Sequence, residues 1–286
     1  MSNLRELRRR IKSVKSIKHI TSAMQKISAS RLMRAKKRFL NAKPYAGVIL
    51  EMLSSVIAEC GGVSAHPLLE INHGKQSLLF VISADKGLCG AFNSSLLRKV
   101  DGFLAEKNTK GAAVSLVCFG KKAVDHFKRN KQKLLLEYQN IPVFPKFPYI
   151  STIADELIER YTKKEFAGVY VAYNKFISSY KQVPEITKLF PLDVPKADRQ
   201  ELSYIYEPSA QVLFGELLSA RVRAFIWSVI LESSIGEHST RMIMMEQASL
   251  NAGRMIDTLV LNSNKLRQSI ITKELTEIVG TSEALK

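Results

Sequence analysis

The chain lacks several features that would place it in common protein classes. Its last 78 residues contain no proline. No apolar run reaches the roughly 18 residues of a membrane-spanning helix, and no apolar segment after Met1 resembles a secretory signal. The cysteines and histidines show no metal-ligand spacing, and an odd cysteine count is typical of free thiols in a reducing compartment. The cysteines are Cys60, Cys89 and Cys118, and the histidines are His19, His66, His73, His126 and His238. We therefore expect no metal site.

What the chain has instead is a long helical pattern near its C-terminus. Over residues 214–270, apolar side chains recur at alternating spacings of three and four, which only a helix brings onto one face. Twelve of the seventeen positions are apolar, and the seven-residue repeat predicts supercoiling against a partner. These positions, the C-terminal seam, are Phe214, Leu217, Arg221, Ala224, Ser228, Leu231, Ile235, His238, Met242, Met245, Ser249, Ala252, Ile256, Leu259, Ser263, Leu266 and Ile270. A helix of this length is on the order of 100 Å long, which predicts a shaft rather than a core element.

A second long helix is predicted at the N-terminus. Its apolar seam consists of Leu4, Leu7, Ile11, Val14, Ile17, Ile20, Met24 and Ile27, and it continues through Leu32, Ala35 and Phe39. A three-residue step near Ile17 overwinds the repeat locally. Pro44 is expected to kink or interrupt the helix because proline removes a backbone donor. Apolar residues resume at Val48, Leu50, Met52, Leu53, Val56 and Ile57. We expect residues 1–60 and 208–280 to form an antiparallel coiled coil; the alternative is two helices folded back onto a bundle.

Basic charge is concentrated on this first helix. Residues 1–40 contain thirteen Lys and Arg but one acidic residue, Glu6, whereas residues 209–286 are balanced. A helix face this basic suits an acidic partner, which could be a carboxylate-lined protein, nucleic acid or anionic lipid. A solvated face is the alternative, and composition does not choose among the partners.

Between residues 76 and 200 the pattern changes to alternating strands and helices. We expect strands at 77–83, 112–119, 133–137 and 168–173, an extended edge segment at 184–192, and helices at 92–107, 120–129 and 152–164, the last capped by Ser151 or Thr152. This alternation predicts a three-layer, Rossmann-like α/β domain with a largely parallel sheet.

The loop after the first of these strands carries no nucleotide-binding motif. Its sequence from Asp85 to Gly90 has two glycines but matches neither G-x-G-x-x-G nor G-x-x-x-x-G-K-[ST]. Asp85 and Cys89 are conceivable catalytic groups, yet no histidine lies nearby in sequence to activate the thiol. The glycines more simply permit a tight turn, so we expect no cofactor.

Three segments together resemble the gamma subunit of F-type ATP synthase, in the family's order along the chain. They are Leu7-Arg8-Arg9-Arg10-Ile11-Lys12-Ser13-Val14 with Ile20-Thr21-Ser22-Ala23-Met24, then Ser83-Ala84-Asp85-Lys86-Gly87-Leu88-Cys89-Gly90-Ala91-Phe92-Asn93, then Asn264-Lys265-Leu266-Arg267-Gln268-Ser269-Ile270-Ile271-Thr272-Lys273-Glu274-Leu275-Thr276-Glu277-Ile278-Val279. The resemblance covers essentially the whole chain, and the C-terminal segment is the most specific.

The resemblance implies a non-catalytic rotor. In that family the two terminal helices form a shaft inside a hexameric head of alpha and beta subunits, and the α/β domain lies beside the epsilon subunit and the membrane c-ring. Proton flow turns the ring and shaft, and the asymmetric shaft drives the catalytic sites of the head through their conformations. The resemblance also implies a peripheral membrane protein on the cytoplasmic face of a bacterial inner membrane or, alternatively, the matrix face of the mitochondrial inner membrane.

Contact residues follow from the same resemblance. Contacts with the acidic lever of the beta subunit are implied at Met24, Arg241, Gln268, Thr272 and Glu274, although Met24 equally suits seam packing. Contacts with the c-ring and epsilon are implied at Tyr204, Ile205, Tyr206 and Glu207. Residues 194–206 contain no cysteine, so the thiol regulation of chloroplast members is not expected.

Two other classes of protein are also compatible with the residues alone. A basic coiled coil could bind nucleic acid, but Phe39 is the only aromatic residue before Tyr45, and stacking platforms need more. A small α/β enzyme with helical extensions would need a site motif, which the sequence lacks.

Overall fold

A computed structural model describes residues 2–59, 66–74, 76–193, 206–207 and 209–284. The chain forms two compact units, one made of Met1–Ala29 with Arg241–Lys286 and the other of Ser30–Thr240. Two long helices, α1 (Ser2–Glu59) and α5 (Ala210–Ala284), contribute residues to both units. No helix within the described ranges is long and apolar enough to cross a lipid bilayer.

The first unit is an antiparallel helix pair, as predicted. Leu7 of α1 shares a surface groove with Leu266 of α5, and Lys18 lies beside Gly253, where an added Cβ would be 3.4 Å from the Lys18 Nζ atom. Residue numbers therefore rise along one helix as they fall along the other. The C-terminal seam is confirmed here, because its members from Met245 to Ile270 are buried or half-buried while most residues between them are exposed. All side chains at residues 271–281 are exposed.

The predicted seam of α1 is partly wrong. Ile17, Ile20 and Ile27 are exposed by 51%, 59% and 51%. The buried positions instead include an uninterrupted seven-residue repeat of Val14, Thr21, Ser28 and Ala35, and Leu32, which was part of the predicted seam, is buried between the last two. The Thr21 and Ser28 hydroxyls donate to carbonyls of their own helix, at Ile17 and Met24 respectively, which lets polar side chains occupy the seam at little cost. The overwinding expected near Ile17 came from following hydrophobicity through residues that face outward.

The second unit contains a five-stranded sheet. Its strands are β1 (Gln76–Ile82), β2 (Ala113–Phe119), β3 (Leu134–Tyr138), β4 (Gly168–Phe176) and β5 (Gln182–Phe190). They are ordered β3-β2-β1-β4-β5, and only β5 runs antiparallel, paired with β4. The helices are α2 (Phe92–Thr109), α3 (Lys121–Arg129) and α4 (Phe147–Thr162). The expected α/β sheet with an extended edge strand is confirmed.

Helices cover both faces of this sheet. The α2 and α3 helices bury one face through Leu96, Val100 and Phe127. The other face packs against α4 and against the parts of α1 and α5 that belong to this unit. There α5 buries a second row of side chains beside the C-terminal seam, namely Leu218, Val222, Ile226, Val229 and Ile230. Over this stretch α5 is also a core helix of the second unit, a contact that the seam alone did not predict.

Two helix boundaries also differ from expectation. The α1 helix continues through Pro44 to Glu59 rather than being interrupted, and the buried residues beyond the proline are Ile49, Leu53, Val56 and Ile57. The α4 helix begins at Phe147, with Pro148 in its first turn, where proline's missing donor costs nothing. Reading the prolines as loop residues delayed its predicted start.

Candidate functional site

The carboxyl end of the parallel strands is where α/β sheets usually bind ligands. Asp85, in the loop after β1, accepts hydrogen bonds from the backbone amides of Lys121 at 2.7 Å and Ile141 at 2.6 Å. The Ser83 hydroxyl accepts one from the amide of Ala123 at 2.9 Å. Helix N-termini bind phosphate through such amides, but here side chains of the protein already accept from them.

Glycine at position 120 makes this close approach possible. Gly120 has φ of +103°, and an added Cβ would lie 2.2 Å from the carbonyl oxygen of Ser83. The strand end and the start of α3 are therefore packed backbone to backbone. The tight turn expected in the loop after β1 is found at Gly90, which has φ of +55°, and Gly120 forms a further one at the end of β2 that was not predicted.

The loop also holds the thiol that the sequence offered as a conceivable nucleophile. Cys89 is 2% exposed, and its Sγ atom accepts from the Asn93 side-chain amide at 3.2 Å. The Asn93 oxygen accepts from the Ala84 amide at 3.0 Å. A buried thiol that receives a hydrogen bond within its own loop braces that loop. Within the described ranges, no group of three or more His, Cys, Asp or Glu residues could hold a metal ion.

The exposed surface of the helix pair is the remaining candidate. Large apolar side chains stand in solvent on α1 at Ile17, Ile20 and Ile27, and on α5 at Ile271, Leu275, Ile278 and Val279. Exposed basic residues lie on the same helix before and between these isoleucines, including Arg8, Arg9, Lys12, Lys15 and Lys26. A group of exposed apolar side chains often marks a surface that contacts another protein. Sequence reasoning missed the three isoleucines, and the repeat at positions 14, 21, 28 and 35 was the signal that could have found them.

The residues implied as head contacts lie in different environments. Gln268, Thr272 and Glu274 are exposed on α5, and Met24 is half-buried on α1. Arg241 is 4% exposed. Of the residues implied as ring contacts, Tyr206 packs against the core of the second unit and Glu207 is exposed, whereas Tyr204 and Ile205 lie outside the described residues.

Comparison with known proteins decides the family. The family model described as ATP synthase matches residues 3–285. The ATP synthase gamma chain of Pelotomaculum thermopropionicum is 40% identical over 288 residues and that of an Anaeromyxobacter species is 38% identical over 290, each alignment covering 100% of both chains. The chain belongs to the ATP synthase gamma chain family. The resemblance found in its sequence is thereby confirmed.

Solved structures of ATP synthase rotors resemble this gamma-family chain. The central stalk and c-ring structure of the Tetrahymena thermophila mitochondrial enzyme contains a chain with 25% identity and a TM-score of 0.62, covering 80% of this chain and 99% of its own. A rotor structure from Euglena gracilis mitochondria, at 15% identity, has a TM-score of 0.66 with coverage of 94% and 99%; this second likeness shows the fold. The expected combination of a central α/β domain with long terminal helices is confirmed for this chain.

Proposed function

We propose that the chain is the rotating central stalk of a proton-coupled ATP synthase, with no catalytic activity of its own. In this proposal residues 1–60 and 208–280 are the shaft, and residues 76–200 are the domain through which the c-ring drives it. The observation that carries the proposal is a helix pair with an exposed apolar and basic surface. At the carboxyl end of the parallel strands, where α/β sheets usually bind ligands, the backbone amides already donate to Asp85 and Ser83. Family membership along the entire chain supports the same reading.

The proposed partners of the shaft are the alpha and beta subunits. Ile17, Ile20 and Ile27 present an apolar face between cations, which suits a head lined by carboxylates and apolar side chains. The position of the cations gives independent support. Positive charge near a helix N-terminus opposes the helix dipole, and the first turn of α1 holds no acidic residue. We expect this loss of helix stability in the free chain to be offset by favourable contacts with a binding partner.

Individual contacts are proposed at matched positions. Met24, Gln268, Thr272 and Glu274 contact the beta subunit, and their partial or full exposure leaves them available. A direct contact by Arg241 requires its buried side chain to turn outward on assembly.

The lower end of the proposed rotor meets the membrane sector. Tyr204, Ile205, Tyr206 and Glu207 are proposed to contact the epsilon subunit and the c-ring. The chain would then be a peripheral protein held by the complex at the cytoplasmic face of a bacterial inner membrane, a location favoured by its bacterial relatives.

Reconstitution tests this function. The chain is added to purified alpha and beta subunits, and ATP hydrolysis and rotation of a bead attached to its α/β domain are followed. We expect hydrolysis to rise on addition and the bead to turn in one direction. A variant with Tyr180 replaced by Ala, at a position of the α/β domain that is 86% exposed, serves as the control preparation. Hydrolysis by the chain alone, or full hydrolysis with a stationary bead, would contradict the proposal.

A further inference from the structure

The short segment that leads from β3 into the first residue of α4 contacts both long helices at two places. This peg segment, residues 141–147, contains two phenylalanines that each lie between α1 and α5. All the contacts described below fall inside the second compact unit, Ser30–Thr240.

The first phenylalanine is Phe144. The Arg38 guanidinium of α1 lies 5.2 Å from the centre of its ring, and the ring of His238 on α5 lies 6.5 Å away in an edge-on arrangement. Arg38 also donates a hydrogen bond from Nη1 to the carbonyl oxygen of Pro145 at 3.1 Å. The buried Pro145 fixes the backbone at that point.

The second phenylalanine is Phe147. Its ring meets Tyr45 of α1 at 6.1 Å and Trp227 of α5 at 5.9 Å, both edge-on. Arg38 and Tyr45 are two heptad-spaced positions on one face of α1. Trp227 and His238 are about three turns apart on α5, again on one face. Phe144 and Phe147 therefore bridge α1 and α5 at two successive levels, on the same face of each helix.

The peg segment is also tied to the sheet. The amide of Ile141 donates to Asp85 in the loop after β1, and the same carboxylate caps α3 through Lys121. One end of the segment is thus held by the sheet and by α3, and the other end leads directly into α4. Besides the core packing of the sheet against α1 and α5, Phe144, Phe147 and Arg38 therefore give a twist of the sheet a second path to both helices.

We propose that the peg segment transmits torque between the α/β domain and the paired long helices, with Phe144 and Phe147 as the mechanical contacts and Arg38 as a positioning residue. This rests on the proposed function, since torque matters only in a rotor. Edge-on aromatic contacts are directional, and packed interiors deform little under load. Removing both rings takes away the aromatic contacts of the peg segment with both helices, which then stay attached through the apolar core and through hydrogen bonds such as that of the Phe176 amide to Glu232.

The test uses the complete ATP synthase in sealed vesicles, with the variant Phe144→Ala/Phe147→Ala. ATP hydrolysis is measured with an uncoupler present, and ATP-driven proton pumping is measured as the gradient builds. We expect uncoupled hydrolysis to be retained and the final gradient to be lost or strongly reduced. Tyr180→Ala is the matched control, because this aromatic side chain is 86% exposed. Fluorescence of Trp227, the only tryptophan of the chain, reports whether the contact with Phe147 is gone in the folded protein.

Equal ratios of pumping to hydrolysis in the double variant and the Tyr180→Ala control would overturn the inference. If the alanine variant does not assemble, Phe144→Leu/Phe147→Leu is tested instead, because leucine keeps the apolar character but not the ring contacts. Full pumping by the leucine variant would also overturn the inference. Failure of the proposed function looks different: wild-type enzyme would then pump equally well whether or not the chain is present.

Discussion

The carboxylate of Asp85 caps helix α3 by accepting a hydrogen bond from the amide of Lys121, 2.7 Å from its Oδ1 atom. Its other oxygen accepts from Ile141. A negative group at a helix N-terminus is stabilised by the unpaired amides and by the helix dipole. In a nucleotide-binding α/β protein a phosphate takes this place; here the chain supplies its own anion.

Replacing Asp85 with Ala should therefore destabilise the α/β domain. Two amides lose their acceptor, and loss of a helix cap alone costs about 1 kcal/mol, with the second amide adding a similar amount. Urea unfolding of the isolated chain measures the change. Asp257→Ala, at an exposed helix position, should change the unfolding free energy by no more than about 0.5 kcal/mol. Equal stabilities of the two variants would show that the cap contributes nothing.

The isolated chain should bind no ATP at millimolar concentration. The amides of Lys121 and Ala123, which could receive a phosphate, already donate to Asp85 and Ser83. Calorimetric titration with Mg-ATP measures binding, and the same titration with inorganic phosphate controls for non-specific attraction to a chain of formal net charge +17. Saturable heat with ATP alone would contradict the assignment of this loop to a structural role.

The corrected seam of α1 predicts opposite effects for two neighbouring apolar residues. Val14 is 9% exposed and Ile17 is 51% exposed. Val14→Ala should lower the stability of the helix pair by roughly 1–2 kcal/mol, because about two buried methyl groups are lost. Ile17→Ala should leave the isolated chain unchanged but weaken assembly with alpha and beta subunits. Thermal melting followed by circular dichroism gives the first quantity and titration of the head gives the second. If Ile17→Ala lowered the stability of the isolated chain more than Val14→Ala, Ile17 would belong to the buried seam, as the sequence predicted.

The basic face of α1 should act through its charge. Reversing Arg9, Lys12 and Lys15 to Glu should weaken assembly with the head, and the loss should shrink as salt screens the interaction. Lys18 and Arg31 are unsuitable for this test, because Lys18 lies against Gly253 and Arg31 lines a pocket of the second unit.

The control for this reversal changes the net charge equally on the other unit, at Lys99, Arg129 and Lys133. Affinity of each variant for the head is measured across ionic strengths. Indistinguishable losses in the two variants at every salt concentration would assign the α1 cations to solvent.

Stability should fall in alkaline solution. Burial raises the pKa of the Cys118 thiol from 9.0 to about 12, and burial raises the pKa of Tyr173 from 10.0 to about 12. Both groups are neutral in the folded chain and ionise more easily when unfolded. Their contribution is fully present below about pH 9 and is lost as the pH rises toward 12. Melting temperatures across this range measure the slope, which should be shallower for Cys118→Ala. An unchanged slope would assign the alkaline loss to other groups.

The sequence by itself determined the helices and strands. Apolar seams with alternating spacings of three and four predicted both long helices, because helical periodicity depends on the local order of apolar residues. Their antiparallel pairing was predicted because each seam needs a partner. Buried strands such as Gln76–Ile82 were equally plain, since a strand covered on both faces is continuously apolar. The absence of a phosphate-binding motif after that strand was also readable, as was the family resemblance in the terminal segments.

Only the tertiary structure decided which apolar residues are buried. Ile17 and Val14 are equally apolar, but burial depends on which face meets the partner helix, and a seam that accepts Thr21 and Ser28 cannot be traced by hydrophobicity. The same holds for α5, whose second buried row exists because a sheet covers it. The role of Asp85 and the two phenylalanine contacts also required the fold, because each depends on residues far apart in sequence meeting at hydrogen-bonding or van der Waals distance. Local order specifies helices and strands, whereas contact between distant segments specifies what each side chain does.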